Sequence, residues 1–267
     1  MRIALGIEYD GHGFLGWQSQ KNLPTVQACL EEALSKIADE EIKVFCAGRT
    51  DAGVHAIGQV IHFDTKARRD LRAWTLGTNS YLPSSIAVTW VTEVDETFHA
   101  RFSALSRRYH YVIYNTSIRP ALLAKRVTWY QRCLNVEKME EAGQFLLGEL
   151  DFSSFRSLEC ESKTPRRNVH FIKVNRYGDF VVIDIQANAF LHHMVRNIAG
   201  VLMQVGAGRK EPHWVKEVLE AKDRRKAAET APAAGLYLYQ VNYPDNFSLT
   251  FVLSKRTMCN EAFFKSR

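Results

Sequence analysis

The sequence predicts an α+β fold, built as two halves in each of which helices flank an antiparallel sheet. Three observations indicate this class. Short runs alternate apolar and polar residues, as strands with one buried face do. Longer runs repeat apolar residues at helical spacing. In the first hundred of the 267 residues, these runs follow one another in the order β-α-β-β-α-β, which is the split βαβ arrangement.

The first half of the chain gives this order element by element. The first strand is assigned from its alternation, and the first helix from an apolar stripe with a capping residue before it. The predicted elements are a strand over 2–10, a helix capped by Thr25, strands over 42–47 and 57–64, a helix over 70–80 and the strand IAVTWVTEV.

The second half repeats the scheme loosely. Its predicted elements are the strands RRYHYVIYN and RVTWYQRC, the helix NVEKMEEAGQFLLGEL, the hairpin NVHFIKVNRYGDFVVIDIQA, the helices FLHHMVRNIAGVLMQVGAG and PHWVKEVLEA, and the strand GLYLYQVNY. We therefore divide the chain into an N-terminal half of residues 1–100, a C-terminal half of residues 101–253 and a loose tail of residues 254–267. A cleft between the two halves is the expected place for a functional site.

Composition and charge limit the possible classes of protein. The net charge of +6 is a weak indication of an anionic partner. Five scattered cysteines without a CxxC pair argue against a disulfide framework or a structural zinc site. The N-terminus lacks the apolar core of a signal peptide, and no run of about 18 apolar residues could span a membrane. We expect a cytoplasmic protein that does not contact a membrane.

A charged turn, AGRTDAGVHA, lies between the two short strands of the first half. One interpretation is structural: Thr50 and Asp51 form local turn hydrogen bonds, and Gly53 supplies an unusual backbone angle. The other is functional: Asp51 is a single carboxylate nucleophile or base, displayed on a turn. A carboxylate in a partly dry cleft stays ionised only if a cation lies close by. Arg49 and Arg196 are the two candidates.

The histidines do not suggest a metal site. His55 and His62 are separated by seven positions, and His192 and His193 are adjacent on a predicted helix, where they would point about 100° apart. We therefore predict no metal. The sequence also lacks a Walker A loop, GxGxxG and GxSxG, so it gives no local support for nucleotide hydrolysis, dinucleotide redox chemistry or serine hydrolysis.

Aromatic and basic residues alternate in RRYHYVIY, where Arg107, Tyr109 and Tyr111 share one strand face. Such a face suits phosphate contact and base stacking, but inward-packed tyrosines of a core strand would give the same pattern. Three basic pairs would trace a phosphate backbone if they converged on the cleft. They are Arg68-Arg69, Arg166-Arg167 and Arg209-Lys210.

Several segments together resemble one family. AGRTDAGVHA resembles the catalytic motif of the TruA family of tRNA pseudouridine synthases. Four further segments resemble family segments in the same order along nearly the whole chain: IEYDGHGFLGWQSQ, FHARFSALSRRYHYVIYN, FLHHMVRNIAGVL and GLYLYQVNYP. The resemblance implies the pseudouridine synthase fold, in which two ferredoxin-like or RRM-like halves have an active-site cleft between them.

The resemblance also implies a function and four site residues. Asp51 would be the nucleophile that isomerises uridine to pseudouridine, and Arg196 would pair with its carboxylate. Tyr109 would stack against the target uracil, and Arg49 would hold the RNA backbone. The implied substrate is the anticodon arm of tRNA, at positions 38, 39 and 40. Members of the family act as homodimers and need no cofactor or metal.

Two rival functions come from other classes. One is a non-catalytic RNA-binding protein of two RRM-like halves. The other is a metal-dependent hydrolase that uses Asp51, Asp64 and the histidines. The resemblance does not extend to SLTFVLSKRTMCNEAFFKSR at the end of the chain, which receives no role. It leaves open which residues of the loop RSLECESKTPRR contact RNA.

Overall fold

The structure, a computed structural model, describes residues 1–160, 162–247 and 249. The predicted tail of residues 254–267 lies outside this part of the chain. Within the described residues, no helix is both long and apolar enough to cross a membrane.

The N-terminal half contains four strands and two helices. They are β1 (Arg2–Tyr9), α1 (Val26–Ala38), β2 (Phe45–Cys46), β3 (His55–Asp64), α2 (Thr78–Tyr81) and β4 (Ile86–Val94). In the described part of the C-terminal half there are six strands and three helices. They are β5 (Ser106–Tyr114), β6 (Thr128–Trp129), α3 (Val136–Gln144), β7 (Gly148–Asp151), β8 (Arg166–Tyr177), β9 (Phe180–Ala187), α4 (Met194–Gly206), α5 (Trp214–Ala221) and β10 (Leu236–Asn242).

The two halves use the same strand arrangement. In the first half the spatial order is β4-β1-β3-β2, and all neighbours are antiparallel. In the second half the order is β10-β5-β9-β8, again antiparallel, with β7 added at the outer edge and the short β6 beside β5. Both orders are those of a split βαβ unit. The prediction of an α+β protein with two similar halves is therefore confirmed.

The two half-sheets join into one. Strand β10 pairs in parallel with the start of β3, through Tyr237 opposite His55 and Leu238 opposite Ala56. The joint is possible because β2 covers only the far end of β3, where it pairs with Ile61 and His62. The first residues of β3 are thus free to meet β10, and the segment before β3 lies at the junction of the halves.

Helix α4 passes through the interior and brings one arginine into the site. Eleven of its thirteen residues are buried, as expected for a helix that is apolar on nearly all sides. Gly200 lets the chain cross α4 closely, since a Cβ there would lie 2.2 Å from the carbonyl oxygen of Glu229. The crossing segment contacts Arg196 near the start of the helix.

The helix predicted over 70–80 is confirmed over residues 71–81, where a π-helical turn, Ala73–Gly77, precedes α2. Three predicted elements were too long. The strand predicted over 42–47 is only β2, because the chain leaves the sheet at Ala47 to form the charged turn. The strand predicted as RVTWYQRC is only β6. The helix predicted from Asn135 ends at Gln144, and Gly148 (φ 87°) begins β7.

Candidate active site

Asp51 lies on the turn between β2 and β3. The Val54 N–H donates to the Asp51 carbonyl (3.1 Å), which closes the turn. Gly53 has a φ of 76°, a backbone conformation that glycine adopts without strain. The turn therefore displays the Asp51 side chain beside the joint between β3 and β10.

Hydrogen bonds from buried residues hold this turn in place. The hydroxyls of Thr50 and Tyr9 share a hydrogen bond (2.7 Å), and the Gln59 Nε2 donates to the Gly48 carbonyl (2.7 Å). The Trp17 N–H donates to the Thr50 carbonyl (3.0 Å). The polar side chains of Thr50 and Gln59 are buried, so these hydrogen bonds are shielded from water. They fix Gly48 and Thr50, the two neighbours of Arg49.

Arg107 holds the start of the turn. Its guanidinium donates to four backbone carbonyls: those of Ala47 (3.0 Å), Arg101 (2.5 Å), Ala104 (3.2 Å) and Asn188 (3.2 Å). Burial lowers the pKa of Arg107. The guanidinium is thus committed to the backbone, and in this structure it anchors the turn.

Three cationic or imidazole groups surround the Asp51 carboxylate. The Arg196 Nη1 lies 3.1 Å from Oδ2, and the His193 Nε2 lies 3.2 Å from the same oxygen. The His192 Nε2 lies 3.3 Å from Oδ1. Asp51 keeps 25% of its side-chain surface exposed. The carboxylate is therefore partly covered and charge-compensated, but still reachable from solvent.

A polar network orients Arg196. Its Nε donates to the Ala231 carbonyl (2.8 Å), and the Ala231 N–H donates back to the Arg196 carbonyl (3.2 Å). The Thr230 hydroxyl and the Arg224 guanidinium both donate to the Asn197 side-chain oxygen, at 2.7 and 3.0 Å. The segment that binds Arg196 is thus tied to the next residue of α4.

The placement of the histidine pair corrects the sequence analysis. His192 and His193 lie before α4 rather than within it, and His193 has a left-handed backbone (φ 61°). The centroids of the two rings lie 4.0 Å apart, with the ring planes tilted by 36°, and both rings face one carboxylate. Burial lowers the pKa of His193, and although Asp51 raises it, the charges of Arg196 and His192 lower it further.

The donor atoms of Asp51, His192 and His193 lie within 4.8 Å of one another and could hold a metal ion. Two imidazoles and a carboxylate are ligands that zinc accepts. However, the Arg196 guanidinium already occupies Oδ2, and its charge opposes a second cation there. The absence of a metal from the working site stays a prediction.

The other residues of the rival metal site lie elsewhere. Asp64 pairs with Arg2 at the far end of β3 (2.8 Å). The Nδ1 of His62 accepts from the Ala100 N–H (3.1 Å), and the Nδ1 of His55 accepts from the Gly11 N–H (3.0 Å). Their positions therefore give no support to a hydrolase centre that includes these residues.

Tyr109 approaches the turn from β5. Its side chain is only 8% exposed and packs edge-to-face on Phe190, with ring centroids 5.0 Å apart. A Cβ at Gly48 would lie 3.6 Å from the Tyr109 hydroxyl, so this hydroxyl sits beside the turn. Burial raises the pKa of Tyr109, and the Asp51 charge raises it further. The hydroxyl therefore keeps its proton at neutral pH.

Arg49 is exposed and is not the cation that compensates Asp51. Within residues 1–160, 162–247 and 249, its side chain forms no hydrogen bond or ion pair. Arg196, the other candidate, takes this role at a sequence distance of 145 residues. Arg49 points away from the packed side of the turn, where it is available to a partner.

The three basic pairs do not converge. The site lies at the N-terminal ends of β3 and α4. Arg68-Arg69 comes after the C-terminal end of β3, and Arg209-Lys210 comes after the C-terminal end of α4. Arg166-Arg167 begins β8 directly after the loop of residues 156–165. The Ser157 N–H of that loop donates to the His192 carbonyl (3.0 Å). The third pair therefore follows a loop whose other end contacts the site.

Comparisons with known proteins agree with this geometry. The model of a family described as tRNA pseudouridine synthase matches residues 6–103 and 142–244. Three relatives named tRNA pseudouridine synthase A align over 249 residues, or 93% of this chain. They come from Photorhabdus laumondii (61% identical, 94% of the relative covered), Legionella pneumophila strain Lens (61%, 95%) and Yersinia pestis (59%, 94%).

Among solved structures, a chain of a Cbf5-Nop10-Gar1 complex is similar over 88% of this chain and 48% of its own length. Its sequence identity is 13% and its TM-score is 0.37, too low to support an argument. The family match covers the turn that carries Asp51 and the start of α4 that carries Arg196. The chain belongs to the tRNA pseudouridine synthase family.

Proposed function

We propose that this protein is an isomerase that converts uridine to pseudouridine at positions 38, 39 and 40 in the anticodon stem-loop of tRNAs. The observation that carries the proposal is the Asp51 carboxylate, held by Arg196 and two imidazoles at the junction of the half-sheets. Family membership and the close relatives support the choice of reaction and of tRNA as substrate.

The reaction fits a single ionised carboxylate. Pseudouridine formation breaks the bond between N1 and the ribose, turns the base and rejoins it through C5. The change is an isomerisation, so it needs no oxidant and consumes no water. Asp51 acts as the nucleophile that holds the substrate covalently while the base turns. Arg196 compensates the negative charge of the carboxylate and orients it, since its own orientation is fixed by Ala231.

The target nucleotide must leave its stack to reach Asp51. Extruding a base costs a few kcal/mol. We assign Tyr109 to stacking against the extruded uracil, which contributes about 1–3 kcal/mol per base. We assign Arg49 to a phosphate contact, because it is exposed next to Asp51.

A non-catalytic RNA-binding protein is the alternative. Such a protein would present cations and aromatic rings to the phosphate backbone, and a central carboxylate would repel that backbone. Here a partly exposed carboxylate stands at the centre, with a guanidinium and two imidazoles directed at it. This arrangement prepares a nucleophile and favours the enzyme.

The test is tritium release from tRNA that carries tritium at C5 of uridine. We expect release by the wild type and none by Asp51→Asn, which should still bind tRNA, since the amide has nearly the same shape but is a poor nucleophile. Asp39→Asn is the matched control, because Asp39 is an exposed aspartate after α1 and should keep full activity.

Two outcomes would contradict the proposal. A normal rate in Asp51→Asn would exclude Asp51 as the nucleophile. Tight tRNA binding without release by the wild type would favour the binding protein. We include in the proposal a homodimer that works in the cytoplasm without cofactor or metal. Sedimentation equilibrium and activity in the presence of a chelator test its assembly and its metal independence.

A further inference from the structure

We propose that His193 is a catalytic residue that carries the proton which leaves C5 of the uracil and returns one to N1. This inference rests on the proposed function, because it concerns a proton that only the isomerisation moves. It assigns a chemical role to a side chain that the family motif, as matched above, leaves without one.

The first argument is the backbone. A non-glycine residue with positive φ is uncommon, and His193 adopts φ 61° immediately before α4. This conformation turns the imidazole of His193 toward the same carboxylate that His192 faces. Within a regular helix the two rings would diverge by about 100°. The chain therefore adopts an unusual local conformation whose effect is to place a second imidazole on Asp51.

The second argument is position. The His193 Nε2 lies 3.2 Å from Asp51 Oδ2. While Asp51 is bonded to the substrate, the uracil must lie within a few ångströms of this oxygen. The His193 side chain is 26% exposed, so it faces the space that the substrate enters. It is thus within reach of the reacting atoms.

The third argument is proton balance. After the base has turned, C5 bonds to the ribose carbon as the bond between that carbon and Asp51 breaks and its electron pair returns to the carboxylate. C5 still carries its hydrogen, and a double bond joins N1 to C6. The C5–H bond then breaks, and its electron pair re-forms the C5–C6 double bond. The N1–C6 double-bond pair returns to N1, which takes a proton. One group that first accepts and then donates a proton completes the reaction without a co-reactant.

Four charged or titratable groups face His193, and two of them favour its neutral form. They are Asp51 on the turn, Arg196 on α4, the adjacent His192, and Glu159 on the loop of residues 156–165. Burial, Arg196 and His192 lower the pKa of His193, against the opposing effect of the two carboxylates. A neutral ring keeps its hydrogen on the Nε2 that faces Asp51 and its lone pair on Nδ1, which can accept a proton.

The other side chains at the site are poor candidates. Tyr109 keeps its proton because burial raises the pKa of its hydroxyl. Arg196 cannot act as a base, since a guanidinium remains protonated. Asp51 is released when C5 joins the ribose, and its Oδ2 then faces the Arg196 guanidinium. His192 is more exposed than His193, at 33%, and contacts only Oδ1.

The experiment is single-turnover conversion of tRNA with protium, deuterium or tritium at C5, using wild type, His193→Gln and His193→Gly. Glycine suits the positive φ, so His193→Gly should fold. We expect both variants to bind tRNA normally and to release tritium about 100-fold more slowly. They should also show a primary deuterium isotope effect, because proton removal has become the slow step.

Two further readouts separate proton transfer from simple positioning of Asp51. Added imidazole should restore part of the rate of His193→Gly. In the wild type the rate should fall in acid as the pH drops through the pKa of His193, which lies below the ordinary histidine value. This fall should be absent from His193→Gly. His192→Gln should retain the pH dependence, and the exposed control His213→Gln should match the wild type.

The outcomes are distinct. Wild-type rates in both His193 variants would overturn the proposal. So would a slow His193→Gly enzyme that shows no isotope effect and no response to imidazole, since His193 would then only position Asp51. If His192→Gln alone shows the isotope effect, the proton carrier is the other histidine. An inactive wild type would instead overturn the proposed function.

Discussion

Backbone carbonyls orient two arginines of the site, Arg107 and Arg196, but only Arg196 also contacts a carboxylate. Arg107 directs its guanidinium to four backbone carbonyls and has none of its charge directed at a carboxylate. Arg196 uses Nε for the Ala231 carbonyl and Nη1 for Asp51. Backbone carbonyls set the direction of both side chains. Of the two guanidinium groups, only that of Arg196 is directed at the Asp51 carboxylate. The pairing of Asp51 with Arg196 therefore depends on backbone placement as much as on charge.

Substitutions at Tyr109 separate stacking from hydroxyl chemistry. Because burial keeps the hydroxyl protonated, Tyr109→Phe should retain turnover within about tenfold. Tyr109→Leu, which keeps apolar volume but loses the ring, should lose about 1–3 kcal/mol of interaction with the flipped uracil. Single-turnover rates at saturating tRNA measure the difference. Equal and complete loss in both variants would assign the hydroxyl a direct role.

The sequence alone was enough to name the candidate residues of the site, but it did not show which of them contact one another. Local chemistry identified Asp51 as a candidate and left both Arg49 and Arg196 as its cation. Two residues 145 positions apart can be paired only by the fold, which the family resemblance supplied and local pattern did not. The apolar pattern of α4 runs back through Phe190, so it predicted a helix across the histidines. One backbone angle, at His193, reversed that expectation.

At the scale of elements, the site depends on a strand that stops early. Strand β2 has two residues, and the chain then leaves the sheet to form the turn. Because β2 is short, β10 can pair with the start of β3 and bring the C-terminal half close to Asp51. The same feature therefore forms the turn and joins the halves.

The hydrogen bond between Thr50 and Tyr9 should be necessary for this turn. Thr50→Val and Tyr9→Phe each remove one hydroxyl and leave the other buried without its partner, which costs about 1–3 kcal/mol. We expect each variant to unfold at lower denaturant concentration and to lose turnover more than tRNA affinity. The double variant should lose little more than either single one. Fully additive losses would show that the two hydroxyls act separately.

Regular alternation predicted the strands β1, β4 and β10 and the hairpin of β8 and β9 almost to the residue. It failed where a change of backbone conformation lies inside an apolar pattern. The segment FLLGEL continues the stripe of α3, but Gly148 takes a positive φ and starts β7. The strand conformation of Gly148–Asp151 results from pairing with β8, and helical periodicity in the sequence does not reveal such a pairing.

At the scale of the whole molecule, one sheet and one core unite the halves. A continuous cluster of buried apolar residues extends from Ile3 in β1 to Val241 in β10. Two side-chain contacts also cross the joint. Arg126 forms an ion pair with Asp10 (2.9 Å), and the Tyr237 ring stacks on the His55 ring with centroids 4.7 Å apart. The Asp51 carboxylate and Arg196 come from different halves, so the site exists only while the joint is intact.

This shared core leads us to expect one cooperative unfolding transition. Breaking the joint would expose apolar surface of both halves at once, so neither half should persist alone. Scanning calorimetry should give one peak with equal calorimetric and van't Hoff enthalpies, and activity should be lost in the same temperature range. Arg126→Ala should lower the midpoint while the peak stays single. Two peaks in the wild type would show instead that residues 1–100 and 101–253 fold as independent domains and that the site forms by their docking.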